Sequence, residues 1–171
     1  MSEPAHEPLP AANPALREPA HQVSTKAPVV WAVGAAIRSL VLLAVLIAAA
    51  WFDWFPVPFW VWPVYAAVSI AYVIAMPRVR YRIHRWESTD TAVYTQTGWL
   101  SRERRIAPMS RVQTVDYEQG AIGRLLGLAS VTVTTASAAG PLKIADIDKA
   151  VADRLVDDLT RRTEAEAGDA T

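Results

Sequence analysis

The chain has 171 residues, enough for one ordinary domain or for a smaller domain joined to a membrane anchor, and its 17 basic and 17 acidic residues balance to a net charge of zero. That balance argues against a nucleic-acid binder, which needs a basic surplus. The absence of cysteine excludes a disulfide framework, thiolate catalysis and cysteine-ligated zinc or iron–sulfur sites.

Residues 1–28 hold six prolines among Ala, Glu and His, with no apolar periodicity. Such a segment cannot bury a core, so a disordered cytoplasmic tail is expected. It also lacks the order of a secretory signal, a basic stretch followed by a short apolar run and a small-residue cleavage site, and is expected to be retained.

From Val29 to Phe52 only Gly34, Arg38 and Ser39 interrupt an apolar run, and Val57 to Met76 is a second run without a charge. At ~1.5 Å rise per residue either can cross a hydrocarbon core of ~30 Å. A soluble domain of this size has nothing to wrap around two such helices. The connection, Asp53-Trp54-Phe55-Pro56 with Pro58, is short and proline-broken, so residues 29–76 are expected to form a transmembrane hairpin. Trp51, Trp54, Phe55, Phe59, Trp60 and Trp62 crowd its tip, where an aromatic belt belongs. Lys26 and Arg38 flank the first run, and Arg78, Arg80, Arg82 and Arg85 follow the second. The positive-inside rule then places both termini in the cytoplasm and the tip outside the plasma (inner) membrane.

After Met76 the pattern changes to short β-rich segments separated by turn residues. Strands are expected near Arg80–Trp86, Ala92–Thr97, Trp99–Ile106, Val112–Glu118, Ser130–Ala136 and Leu142–Ile144, with Gly98 and Gly140 in turns. Ile122–Leu126 can make a helical turn ended by a left-handed Gly127. Asp148 can cap a final helix to about Glu164, in which Ala152, Leu155, Val156 and Leu159 form an apolar stripe. The fold class is therefore a membrane-anchored α+β protein. Residues 77–164 form the cytoplasmic domain, reminiscent of a pleckstrin-homology (PH) barrel or sandwich closed by its helix, and 165–171 are a disordered tail.

Particular runs in this region also match a known pattern. Gly98-Trp99-Leu100-Ser101-Arg102, Ile106-Ala107-Pro108 with Arg111-Val112-Gln113, Gly123-Arg124-Leu125-Leu126-Gly127-Leu128-Ala129 and Val131-Thr132-Val133-Thr134-Thr135-Ala136 stand after a two-helix hairpin. In these runs and their spacing the chain resembles the bacterial PH-like membrane proteins of the YdbS-like family. The resemblance spans roughly Trp31 to Thr160. It implies a PH-like fold on a membrane hairpin and a binding module without established catalytic residues. A further implication is a possible partner, a larger membrane protein with several PH-like domains, in a complex for envelope maintenance or stress resistance.

Candidate contact residues come from charge. Residues 77–126 contain nine arginines against five acids, while residues 143–171 hold five basic and eight acidic groups. Arg78, Arg80, Arg82 and Arg85 at the membrane exit can each interact with an anionic leaflet. Arg102, Arg104, Arg105 and Arg111 can form a phosphate or headgroup site, because guanidinium groups bind such oxygens bidentately. The same eight residues also read as topogenic and solvated surface. Strand alternation sends Arg102 and Arg104 to one face and Glu103 and Arg105 to the other, so convergence is not guaranteed.

Arg111 and Arg124 are equally suited to ion pairs with Asp116 or Glu118. No catalytic residue, metal ligand or cofactor is assigned: His6, His21 and His84 are too dispersed for a metal motif, and nucleophile, base and metal do not occur together. The expected role is a membrane-tethered binding or scaffolding module, or alternatively an anionic-phospholipid sensor. Its expected partners are the bilayer, a membrane protein or a second copy of the chain, and no nucleic acid.

Overall fold

The computed structural model describes residues 17–52, 54, 56–136 and 140–169, the last five by backbone alone. Two long helices come first, α1 (Ala27–Trp51) and α2 (Val61–Ile83), preceded by a two-residue strand β1 (His21–Gln22). Pro28 starts α1, where its missing N–H costs nothing. Pro63 lies in the first turn of α2 and so begins the helix instead of kinking it, but Pro77 lies inside α2. Only 11% of the most apolar window of each helix is buried, so these are not core helices of a soluble fold. The two run antiparallel, with the Tyr65 hydroxyl donating to the Ser39 carbonyl across the pair. Ala36, Ala66 and Ser69 line an apolar groove of about 510 Å³ between them.

The domain consists of two antiparallel sheets and two helices. Strands β2 (Arg85–Ser88), β3 (Ala92–Gly98) and β4 (Arg102–Pro108) continue from β1 in the order β1-β2-β3-β4. A 3-10 turn at Met109–Arg111 leads to β5 (Val112–Glu118), which joins β6 (Leu128–Thr135) and β7 (Leu142–Asp148) in the order β5-β6-β7. Between β5 and β6 lies α3 (Ala121–Leu126), stopped by Gly127 at φ 70°. The final helix α4 (Lys149–Asp169) buries Ala152, Leu155 and Leu159. The stripe packs on an interior that includes Val93, Val131, Val133, Leu142, Ile144 and Ile147. The sheets face one another as a sandwich, not a closed barrel.

Several expectations are corrected. The tail read as disordered through residue 28 is ordered in its last part: His21 and Gln22 pair with Trp86 and Arg85, Val23 is buried, and Ser24 Oγ donates to Asp148 Oδ1 at 2.9 Å. Tertiary pairing supplies what local composition does not. Residues 1–16 and 170–171 of the two expected tails lie outside the described residues, as do Asp53 and Phe55 at the hairpin tip.

The strand expected at Arg80–Trp86 is mostly helix, because α2 continues to Ile83 before the chain turns at His84. That also moves the boundary of the domain, expected at residue 77, about two turns later. Trp99 and Leu100, expected in a strand, form with Ser101 the loop between β3 and β4. The last helix runs five residues past Glu164.

The hydrophobic interior does not stop at the domain. Ala27, Trp31 and Ala35, at i, i+4 and i+8 on α1, belong to the same cluster as the sandwich, as does Met76 of α2. The first turns of the hairpin are therefore built into the domain.

Candidate functional site

The outer face of the first sheet and the end of the hairpin form one polar junction. Register places Arg85, Gln96 and Arg104 side by side across β2, β3 and β4, with their side chains on the same face. Gln96 is 1% exposed and its amide is satisfied at both ends. Its Nε2 donates to the Ile83 carbonyl at 3.0 Å, and its Oε1 accepts from Arg104 Nε at 2.8 Å. One buried side chain thus ties the last carbonyl of α2 to the arginine face.

On that face three guanidinium groups converge on the Glu18 carboxylate, Arg102 at 3.5 Å, Arg85 at 3.8 Å and Arg104 at 3.9 Å. All four side chains are partly exposed, so the pairs stabilise the fold weakly. Geometrically they form a cationic cluster that the Glu18 carboxylate occupies. Arg17 pairs with Glu87 beside them.

Arg105 turns to the opposite side of β4, as alternation requires. Its Nε donates to Glu103 Oε1 at 2.6 Å and its Nη1 to the Pro141 carbonyl at 3.1 Å. With Arg111 it lines a cleft of about 250 Å³ at the mouth between the sheets. Arg82 is exposed on the last turn of α2, and exposed Arg78 donates to the Ile74 carbonyl at 2.6 Å. The eight arginines therefore do not form one site. Glu118 pairs with Lys143 at 2.7 Å, not with Arg111 or Arg124.

Arg80 is the arginine that turns inward. Its guanidinium lies 4.4 Å from the centre of the Trp31 ring, and its Nε donates to His84 Nε2 at 3.2 Å. His84 Nδ1 lies 3.0 Å from the Arg80 carbonyl, so the neutral ring with its proton on Nδ1 satisfies both contacts. Burial first, and the Arg80 charge second, lower the His84 pKa to about 4. Trp31 Nε1 in turn donates to Asp146 Oδ2 at 2.6 Å.

Asp146 adopts φ 54°, in the left-handed region, at an irregularity between β6 and β7. Its N–H donates to Ser130 Oγ and its carbonyl accepts the Ser24 N–H. Sequence reasoning missed Asp146 and Gln96. The only local sign of the former is an acidic residue set between the apolar Ala145 and Ile147 of β7.

Two apolar helices thus lead into two packed sheets and a closing helix. The description of the bacterial PH domain family matches residues 25–163, from just before α1 to near the end of the chain. The chain belongs to the bacterial PH-domain family. The chain is also 34% identical over 152 residues to the UPF0699 transmembrane protein YdbS of Bacillus subtilis (strain 168). The alignment covers 84% of this chain and 92% of that protein. No solved structure gives a match. The matched region includes the hairpin, consistent with α1 contributing to the domain interior.

Proposed function

We propose that the protein is a non-enzymatic scaffold, tethered by its hairpin in the plasma membrane with both termini in the cytoplasm, that holds a partner protein at the cytoplasmic face. The observation carrying this reading is β5: it is the terminal strand of its sheet, paired with β6, and five of its seven residues are exposed. A strand edge of this kind can accept another strand, with main-chain hydrogen bonds giving affinity. The partner class is another membrane protein with PH-like domains, or a second copy, in a complex for envelope maintenance or stress resistance. Orientation is supported by Lys26, Arg78 and Arg82 at the domain end of the hairpin against an aromatic tip without lysine or arginine.

A second reading, an anionic-phospholipid sensor, is supported by the convergence of Arg85, Arg102 and Arg104 on one carboxylate, since a phosphate oxygen has the same demands. Two variants of the full-length chain separate the readings. Thr114→Lys with Tyr117→Lys blunts the β5 edge, and Arg102→Glu with Arg104→Glu reverses the face. On the scaffold reading, copurification of a membrane protein in mild detergent is lost in the edge variant and kept in the charge variant. Retention of phospholipid alone, lost on charge reversal, decides for the sensor.

A further inference from the structure

We infer that the Trp99–Leu100 tip of the β3–β4 hairpin is immersed in the bilayer, its side chains among the acyl chains of the leaflet facing the domain. Two adjacent large apolar residues occupy this tip. Trp99 is 39% exposed and Leu100 is 84% exposed. A turn exposed to water ordinarily carries small or polar residues at such positions.

The position of the tip along the hairpin identifies what covers it. The Trp99 ring meets the Tyr72 ring edge-on, with centroids 5.8 Å apart. Tyr72 lies 11 residues after Val61, the first residue of α2, which puts it ~17 Å along the helix axis. A hydrocarbon core is ~30 Å thick, and tilt only shortens the rise across it. With Val61, beside the aromatic tip, at the outer edge of the hydrocarbon, Tyr72 stands within the lipid, and the Trp99 ring packed on it stands at the same depth.

The neighbouring charges fit this level. Arg38 and Arg80 join Tyr72 and Trp99 around a cavity of about 270 Å³. A methyl group built on Gly34 would lie 3.8 Å from Arg38 Nη1, so the Arg38 side chain climbs one turn toward the domain, as a snorkelling arginine does. Arg102 and Arg104 follow the tip on β4, and at ~3.4 Å per residue Arg104 stands roughly 14 Å beyond Leu100, in reach of the headgroups. An apolar point backed by arginines is the pattern of an interfacial anchor.

This inference rests on the reading of α1 and α2 as membrane spans, and its test separates the two. The native chain has no cysteine, so a single introduced cysteine carries a polarity-sensitive fluorophore at a unique site. Three full-length variants, Leu100→Cys, Leu42→Cys on the lipid-exposed side of α1 and Thr160→Cys on the exposed side of α4, are labelled. They are then reconstituted in phosphatidylethanolamine–phosphatidylglycerol vesicles. Immersion predicts that the label at 100 emits like the one at 42 and is quenched by a lipid-soluble quencher, while the label at 160 is quenched from water. A label at 100 that behaves like 160 while 42 remains deep overturns immersion and leaves the spans standing. A water-exposed label at 42 overturns both.

Discussion

His84 is the residue of the junction whose proton affinity is lowered by burial and by the Arg80 charge. Its ring touches Trp31, accepts from Arg80 and closes the end of α2, and the charges around it are Arg80, Arg38 and, through Trp31, Asp146. Because its folded pKa of about 4 lies below the ordinary 6.5, the unfolded chain binds the proton more tightly. The His84 contribution is then complete above pH 6.5 and is lost as pH falls from 6.5 toward 4. Thermal unfolding in detergent should show a midpoint that drops across this window, and His84→Gln should flatten that drop. A His84→Gln profile as steep as the parent's would assign the acid sensitivity to the carboxylates.

Elements show which signals in the sequence were sufficient. The hairpin was legible because a lipid-facing helix is apolar over most of its circumference, and α4 because Ala152, Leu155 and Leu159 repeat with helical period. β1 was not, since His21 and Gln22 carry no alternation and owe their strand form to the edge of β2. The extension of α2 through Arg80 and Arg82 was mistaken for a strand because Val79, Tyr81 and Ile83 alternate with arginines. In the folded chain Arg80 and Ile83 instead face inward on a helix, at i and i+3.

The arginine face was half legible. Alternation placed Arg102 with Arg104, but bringing Arg85 and Glu18 to them needs the register of three strands and the path of the tail. The β3–β4 turn has the strictest local requirement. Gly98 has φ 130°, and a Cβ there would lie 1.8 Å from the Ser101 carbonyl oxygen. Gly98→Ala should therefore displace the turn and cost about 1–3 kcal/mol from backbone strain. It should be visible as a lowered melting temperature and altered emission from Trp99. An unchanged melting temperature would mean that the turn relaxes without loss.

Across the whole molecule, the hairpin and the domain share an interior through Ala27, Trp31, Ala35 and Met76. The Trp31–Asp146 hydrogen bond is one polar part of that union, beside the Gln96–Ile83 hydrogen bond. Trp31→Phe keeps an aromatic ring but removes the donor to a carboxylate, a loss of about 1.5–3 kcal/mol. Hydrogen exchange should then quicken at the junction, at Ser24 and Asp146 whose backbones are paired, while the middle of β6 stays protected. Uniform acceleration would instead indicate that domain and hairpin unfold as a single unit.

The two-residue strand β1 has a mechanical consequence. The chain is fastened to the sheet just before it enters α1, and on leaving α2 it passes through His84 alone into β2, the strand that β1 pairs with. Both legs of the hairpin are thus clamped to one edge of one sheet. A domain held by a single flexible leash would swing freely and transmit nothing, whereas this one is mounted like a bracket on two posts. A sideways pull on the domain is therefore passed to both helices at once, not to one of them.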